Sequence, residues 1–281
     1  MSLRSQIESV SDTMTPAERQ LSAVILADYP FAGLEPIQEL SQRAGVSAPS
    51  ISRFVNKLGY RGFQEFQQSL VKELRAGKSS PIELRESQGG APEDPLAAHL
   101  ARASALLAEL AEQMPRTQFE RVVELLSDSR RRIYMIGGRM TDTIARFFVG
   151  HLRQIRADVT HIPSDPELWP EYLLRLRPKD VVLIIDFRRY QDSLARLSVK
   201  VRERRAQTIV ITDQWISPAS RGATELIPVP IHSGTLWDSY VAGFALVEAL
   251  LVPLAERNWD GTKDRIEAWD ALRETKTETP E

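Results

Sequence analysis

Cysteine is absent from the 281 residues, which removes disulfides, thiolate metal sites and a cysteine nucleophile together and fits a reducing cytosol. No apolar run has the length of a bilayer span. The longest, Tyr240 to Ala255, is short and carries Glu248, so it reads as a buried helix and no membrane partner is expected. The opening MSLRSQIESVSDTM has no apolar core of signal-peptide length, which makes a cytoplasmic location the expectation. Histidine is sparse: His99, His151, His161 and His232 stand at no metal-ligand spacing, so neither a metal nor another cofactor is expected. His232, Ser233 and Asp238 lie close together, yet no nucleophile elbow precedes them and no catalytic residue is assigned. An excess of positive charge is missing too. The formal net charge is −2, with 42% hydrophobic and 26% charged residues, ordinary for a soluble globular chain long enough for two domains. Any nucleic-acid surface must therefore concentrate its cations locally.

One stretch does so. Ile37 to Gly62 reads IQELSQRAGVSAPSISRFVNKLGYRG. Ile37, Leu40 and Ala44 share one face of a first helix, and Ile51, Phe54, Val55 and Leu58 repeat at helical spacing along a second. Gly45 breaks the first helix where a left-handed residue is cheap, Ser47 is placed to cap the second, and Pro49 falls in its first turn. This is the helix-turn-helix layout. The face that the core does not use carries Ser50, Arg53, Asn56 and Lys57, with Arg61 just past the Gly59 stop. Arg, Asn and Ser suit base edges or phosphates, Lys suits a phosphate, and the NH groups at the helix start offer another phosphate contact. From Leu40 to Gln64 there are four basic residues, Arg43, Arg53, Lys57 and Arg61, and no acidic one. A helical hairpin with a solvated basic face is the plain alternative. The glycine turn, the cap, the carboxylate-free polar face and the tight length together favour double-stranded DNA, with Ser47, Ser50, Ser52, Arg53, Asn56, Lys57 and Arg61 as the expected contacts.

Around this unit, Thr15-Pro16-Ala17-Glu18 has the form of a capping box opening a helix that buries Leu21, Val24 and Ile25 and ends before Pro30. Phe63, Phe66, Leu70 and Leu74 close the bundle near Gly77, so the first domain is expected over 1–77. Residues 78–95 are rich in Gly, Ser, Pro and charge and read as a linker. The second domain is expected over 96–258. It opens with an Ala/Leu-rich helix to Met114, and Thr117-Gln118-Phe119-Glu120 has the form of a second capping box. Then the period changes. Residues 133–136, 159–162, 181–185, 208–211 and 226–229 are short β-branched runs separated mostly by helical segments, which predicts a parallel sheet covered on both faces, with Pro228 marking an edge strand. The fold class is thus α/β: an all-α helix-turn-helix bundle followed by a doubly wound α-β-α domain. Ligands in such sheets sit beyond the carboxyl ends of the strands. Three loops qualify, at Gly137 to Asp142, Asp186 to Tyr190 and Thr212 to Pro218.

At this point the residues carry a resemblance. Arg43 to Ser47, Ser52 to Phe54 and Lys57 to Phe63 resemble the DNA-binding domain of the RpiR family of bacterial transcription regulators. The part from about Arg131 to Arg257 is similar to the sugar isomerase (SIS) domain that those regulators carry as a phosphosugar sensor. The resemblance implies a homodimer or homotetramer that binds an operator and responds to a sugar phosphate without catalysis. SIS domains usually have Gly-x-Gly-x-Ser after the first strand, where this chain has Gly137, Arg139 and Thr141. Their Ser-x-Ser-Gly-x-Thr loop is replaced by Asp186, Arg188, Arg189 and Gln191. Small residues let backbone NH groups approach a phosphate, and arginine blocks that approach. Arg139, Arg188 and Arg189 are therefore expected either to grip a small anion, phosphate or carboxylate, through guanidinium forks or to pair with Asp142, Asp186 or Asp192. Gly137, Thr141, Asp186, Ser217, His232 and Ser233 complete the expected effector site.

Tyr240, Val241, Phe244, Val247, Leu250, Leu251 and Leu254 leave the last long helix little polar surface, so one face is expected to meet the sheet and the other a partner subunit. Residues 259–281 turn polar, with Trp269 and Leu272 hinting at one more helix and a closing KTETPE expected to be disordered. The competing reading is a phosphosugar isomerase, for which Glu225 or Glu248 would have to supply the base.

Overall fold

The computed structural model describes residues 3–78, 82 and 93–273. The amino-terminal part is all helix: α1 (Leu3–Ser9), α2 (Pro16–Ala27), α3 (Ile37–Ala44), α4 (Ala48–Lys57) and α5 (Phe63–Lys78). Thr15 closes the expected capping box: its hydroxyl accepts the Glu18 NH at 3.3 Å, and its own NH donates to Glu18 Oε2 at 2.8 Å. Gly45 takes the left-handed conformation, φ 62°, that ends α3. Ser47 caps α4 by accepting the Ser50 NH at 3.3 Å. These local choices aim both helices at one core, where Leu21, Ile25, Leu40, Ile51, Phe54 and Phe66 are fully buried or nearly so.

The second part begins with α6 (Pro95–Gln113), capped by Asp94, and α7 (Arg116–Ser127). The Thr117 capping box does not form. Pro115, held extended, is the cap residue instead, and its carbonyl accepts the Gln118 and Phe119 NH groups at 3.0 Å. Strands β1 (Ile133–Gly137), β2 (Val159–His161), β3 (Val181–Asp186), β4 (Gln207–Asp213) and β5 (Glu225–Val229) then form one parallel sheet in the order β2-β1-β3-β4-β5. Helices α8 (Asp142–Ile155), α9 (Trp169–Arg175), α10 (Asp192–Glu203) and α11 (Val241–Glu256) supply the covering layers. Alternate strand residues face opposite ways. Met135, Leu183, Ile185 and Ile209 join α6, α7, α8 and α11 in one core, while Tyr134, Ile136, Val182 and Ile184 join α9 and α10 in the other. Pro228 lies on the edge strand β5, where a missing NH costs no ladder bond.

The strand order reverses direction between β1 and β3, which opens a crevice beyond their carboxyl ends. Past α11, the residues read as a polar tail start as a further helix, α12 (Trp259–Arg273). It rests on α8 through a bond from Arg265 Nε to the Arg153 carbonyl at 2.5 Å, and its buried Thr262 donates its hydroxyl to the Ala255 carbonyl of α11 at 3.1 Å. The expected linker lies largely, and KTETPE wholly, outside the described residues.

Candidate functional site: a reading helix and a crevice at the strand ends

Helix α4 presents Arg53, Asn56 and Lys57 on its exposed side, with Ser47 at its start and Arg61 beyond its end also exposed. Ser50 is half-buried. Its hydroxyl lies 2.9 Å from that of Ser47 and accepts from Arg53 Nη2 at 3.1 Å, so these side chains form a polar cluster over the first turns. Ser52 turns back, its hydroxyl donating to the Ala48 carbonyl at 3.2 Å. Two cations differ from the sequence expectation. Lys57 Nζ is engaged by the Thr13 carbonyl at 2.6 Å and Glu18 Oε2 at 3.0 Å. Arg43 is paired with Asp28 at 3.1 Å and Glu35 at 2.5 Å. A stretch without carboxylates in sequence thus receives them from α2 and its following turn, which leaves Arg53 and Arg61 as its cations without a carboxylate side-chain partner among the described residues.

The crevice between β1 and β3 holds a cavity of about 650 Å³. Gly138, Arg139, Met140 and Thr141 line it from the β1 loop, Asp186 to Arg189 and Gln191 from the β3 loop, and Leu236 to Asp238 with Tyr240 from the segment before α11. A Cβ on Gly137 would run into the backbone of Thr141 and Asp142, so glycine permits the tight turn into α8. Gly137 lies beneath the cavity rather than in its lining. The Thr141 hydroxyl is already used, accepting the Gly138 NH at 2.8 Å and donating to the Ile185 carbonyl at 2.5 Å.

The three arginines do not act alike. Arg188 is buried, forms a two-pronged ion pair with Asp238 (2.7 Å from Nε to Oδ2) and lies 4.1 Å above the centre of the Trp215 ring. That carboxylate is none of the three aspartates considered from sequence, and Asp142 instead binds Arg146 at 2.7 Å and His161 at 2.7 Å. Arg139 and Arg189 stand exposed at the cavity mouth, and neither guanidinium has a partner among the described residues. Ser217 does not line the cavity: its hydroxyl donates to Asp186 from below. His232 and Ser233 stand behind the lining, His232 Nδ1 3.3 Å from Arg188 and Ser233 Oγ donating to the Trp237 carbonyl at 2.9 Å.

Sequence reasoning missed Asp238, Tyr240 and Trp237 as lining residues, and Asp213 and Tyr190 as the support beneath. Only their place on loops at strand ends or before a helix could have marked them. Fully buried Asp213 accepts the Arg188 NH at 2.5 Å, the Tyr190 hydroxyl at 2.5 Å and the Trp215 NH at 2.9 Å. Burial outweighs these donors and pushes its carboxyl up to about 6. Burial, opposed by Ser217 and aided by the Asp213 charge, pushes Asp186 up to about 7. Tyr190 is driven well above its ordinary range by burial and then by Asp213. His232 is lowered by burial and then by Arg188. Burial also opposes ionisation of Asp142, but Arg146 and His161 overcome it and hold that carboxyl below its usual value.

A helix-turn-helix head joined to a parallel α/β domain with a polar crevice defines a one-chain DNA-binding regulator with a separate sensor-type domain. The helix-turn-helix domain of the rpiR family matches residues 1–77, and the SIS domain matches residues 125–253. The HTH-type transcriptional regulators HexR of Escherichia coli (strain K12) and of Pseudomonas aeruginosa are similar along most of the chain. The first is 23% identical over 239 residues, 84% of this chain and 80% of that protein; the second is 25% identical over 240 residues, 83% and 80%. Among solved structures, the sugar isomerase domain of an RpiR transcription factor from Sphaerobacter thermophilus matches with a TM-score of 0.58 and 20% identity, covering 63% of this chain and 98% of that one. NanR of Vibrio vulnificus, complexed with ManNAc-6P, matches with a TM-score of 0.55 and 18% identity, covering 96% and 97%. The chain pairs the helix-turn-helix domain of the rpiR family with a SIS domain.

Proposed function

We propose that the SIS domain senses a small anionic metabolite, a sugar phosphate or a carboxylate, and sets how the heads engage operator DNA. The observation that carries this reading is the pair of guanidinium groups without partners among the described residues, Arg139 and Arg189, at the mouth of a strand-end cavity whose third arginine is already neutralised. Two like charges at one mouth favour an anion between them. The complex of NanR with ManNAc-6P supports a phosphorylated sugar as the first ligand class to try. Hydroxyls of such a ligand would meet Asp186 and Tyr240 across the cavity.

The protein acts on this reading without catalysis. Glu225 opens β5, at the end of the sheet opposite the crevice, and is taken up by Arg121 at 2.7 Å and by Gln118. Glu248 is exposed on α11 and does not line the cavity. Neither can serve as the base that sugar isomerisation needs next to a bound carbonyl. A homodimer or homotetramer in the cytoplasm would hold its heads for major-groove half-sites about 34 Å apart, and the apolar α11 with exposed Val252 supports a subunit contact on that side.

Titration calorimetry of the full chain with inorganic phosphate, ManNAc-6P and a panel of carboxylates tests the sensor. Binding by at least one is expected, weakened about tenfold by Arg139→Ala and by Arg189→Ala, since a charge-assisted bond is worth about 1.5 kcal/mol. Silence from the whole panel, or binding by both variants as tight as that of the parent chain, would overturn it.

A further inference from the structure

The head and the sensor meet at a turn no functional reading has used. Between β4 and the short helical turn Pro218–Ser220, the chain runs Trp215-Ile216-Ser217. Ile216 is only 3% exposed, and it is buried in the head's hydrophobic core cluster, not in either core of the sensor. Leu26, Tyr29 and Phe31 of the head, with Leu226, surround it. Beside it, Arg221 Nε donates to Asp28 Oδ1 at 2.8 Å, and its guanidinium sits 5.0 Å from the centre of the Phe31 ring. Ile216 adopts a φ of 61°, a left-handed backbone that β-branched residues rarely tolerate and that persists only where surrounding contacts impose it.

Those contacts come from the cavity floor on both sides of the isoleucine. Trp215 lies under Arg188, whose NH binds Asp213, and the Trp215 NH binds Asp213 as well. Ser217 donates its hydroxyl to Asp186, a cavity-lining residue, and its NH to Thr212 Oγ1 at 2.9 Å. We infer that the Trp215-Ile216-Ser217 turn is the transmission element of this regulator: Ile216 pins the head to the sensor, and the Asp186 to Ser217 bond at the cavity floor decides whether the pin holds. This rests on the reading of the cavity as the effector site. A ligand hydroxyl that donates to Asp186 Oδ2, the oxygen that accepts the Ser217 hydroxyl, competes with Ser217 for it. Freed of that bond, the turn loses one of the contacts that impose the left-handed conformation. The ligand thus favours the released head through a contact that the pinned state cannot share, the differential affinity a switch requires. Arg53, Asn56 and Arg61 remain exposed in the pinned arrangement, so the pin governs the direction in which the head points and not access to its reading face.

The absence of cysteine makes the test direct. Gln42→Cys in the head and Glu203→Cys in the sensor, both at exposed positions, accept one nitroxide each, and the full-length labelled chain diluted in unlabelled chain yields an intramolecular distance distribution by pulsed electron resonance. One narrow peak is expected. Ile216→Asn keeps a residue that tolerates left-handed backbone but removes the aliphatic plug, and it should replace the peak with a broad distribution. Ser217→Ala should broaden it too, while the amides of the five strands stay protected from hydrogen exchange. If Ser217→Ala loses that protection, Asp186→Ala removes the same bond from the other side and is measured in its place. A narrow peak in every variant overturns the inference, as does broadening by Ile216→Asn with none from loss of the Asp186 to Ser217 bond. Failure of phosphate and ManNAc-6P to bind would remove the effector reading alone, because the distances are recorded without ligand.

Discussion

Replacing Asp186 with asparagine should change the slope of stability against pH, not merely its level. Asp186 is buried beneath the cavity and faces Asp213, Ser217 and the Gln191 NH, with Arg188 and Tyr190 beside Asp213. Its carboxyl is pushed up to about 7 from its ordinary value of 3.8. An acid raised in the folded state holds its proton there while the unfolded chain has released it, so stability falls as pH climbs from the unfolded value to the folded one. Between pH 5 and pH 7 that amounts to about 2 to 3 kcal/mol, at about 1.4 kcal/mol per unit, and the loss levels off above pH 7. Asparagine does not titrate, and its carbonyl can still accept the Ser217 hydroxyl. In urea unfolding at pH 5 and pH 8.5, the variant should therefore gain about 2 to 3 kcal/mol relative to the parent chain between the two conditions. A constant difference at both pH values would refute the burial of an uncompensated acid at this position.

Three further outcomes are expected. Arg53→Ala and Arg61→Ala should each weaken operator binding and reduce the slope of log affinity against log salt by about 1, read by gel shift at several salt concentrations. Lys57→Ala should do less, because Glu18 and the Thr13 carbonyl already hold that ammonium, and Asn56→Ala should alter sequence preference more than salt response. Thr15→Ala, which removes the hydroxyl half of the capping box, should cost about 1 kcal/mol in thermal or urea unfolding without changing the salt slope.

The elements legible in the sequence are those fixed by neighbours along the chain. Gly45 and Ser47 act within a few residues, and the β-branched runs announce buried parallel strands whatever lies beside them. Pro228 marks an edge because proline lacks the NH a central strand needs. Long-range pairings were not legible. Arg188 and Asp238 are 50 residues apart, and Lys57 and Glu18 are 39 apart, so the charge on each arginine or lysine could not be balanced before the fold was known. The Thr117 signal misled because Pro115, two residues earlier, starts the helix through its own backbone. Ile216 carried a signal of a different kind, a β-branched residue inside a turn with no periodic partner, which points to a contact outside its own domain.

The departures from the usual SIS loops share one physical direction. Hydroxyl and glycine residues make a nest in which backbone NH groups hold a phosphate deep in the crevice. Here the floor is instead filled by Asp186, Asp213 and Arg188, whose charges are internally bonded or protonated, and a phosphate lowered onto it would meet two acids. On the proposed reading, anion recognition moves outward to Arg139 and Arg189, at a mouth shared with Met140 and with Trp237, 65% exposed. Exposed guanidinium groups are screened by salt and give little discrimination among anions. On that reading discrimination falls to the groups beneath, above all Asp186, whose ionised form accepts a hydroxyl donor and disfavours a second anion. On the proposed reading, a ligand hydroxyl taken by the oxygen that anchors Ser217 couples selecting a ligand to moving the turn that holds the head.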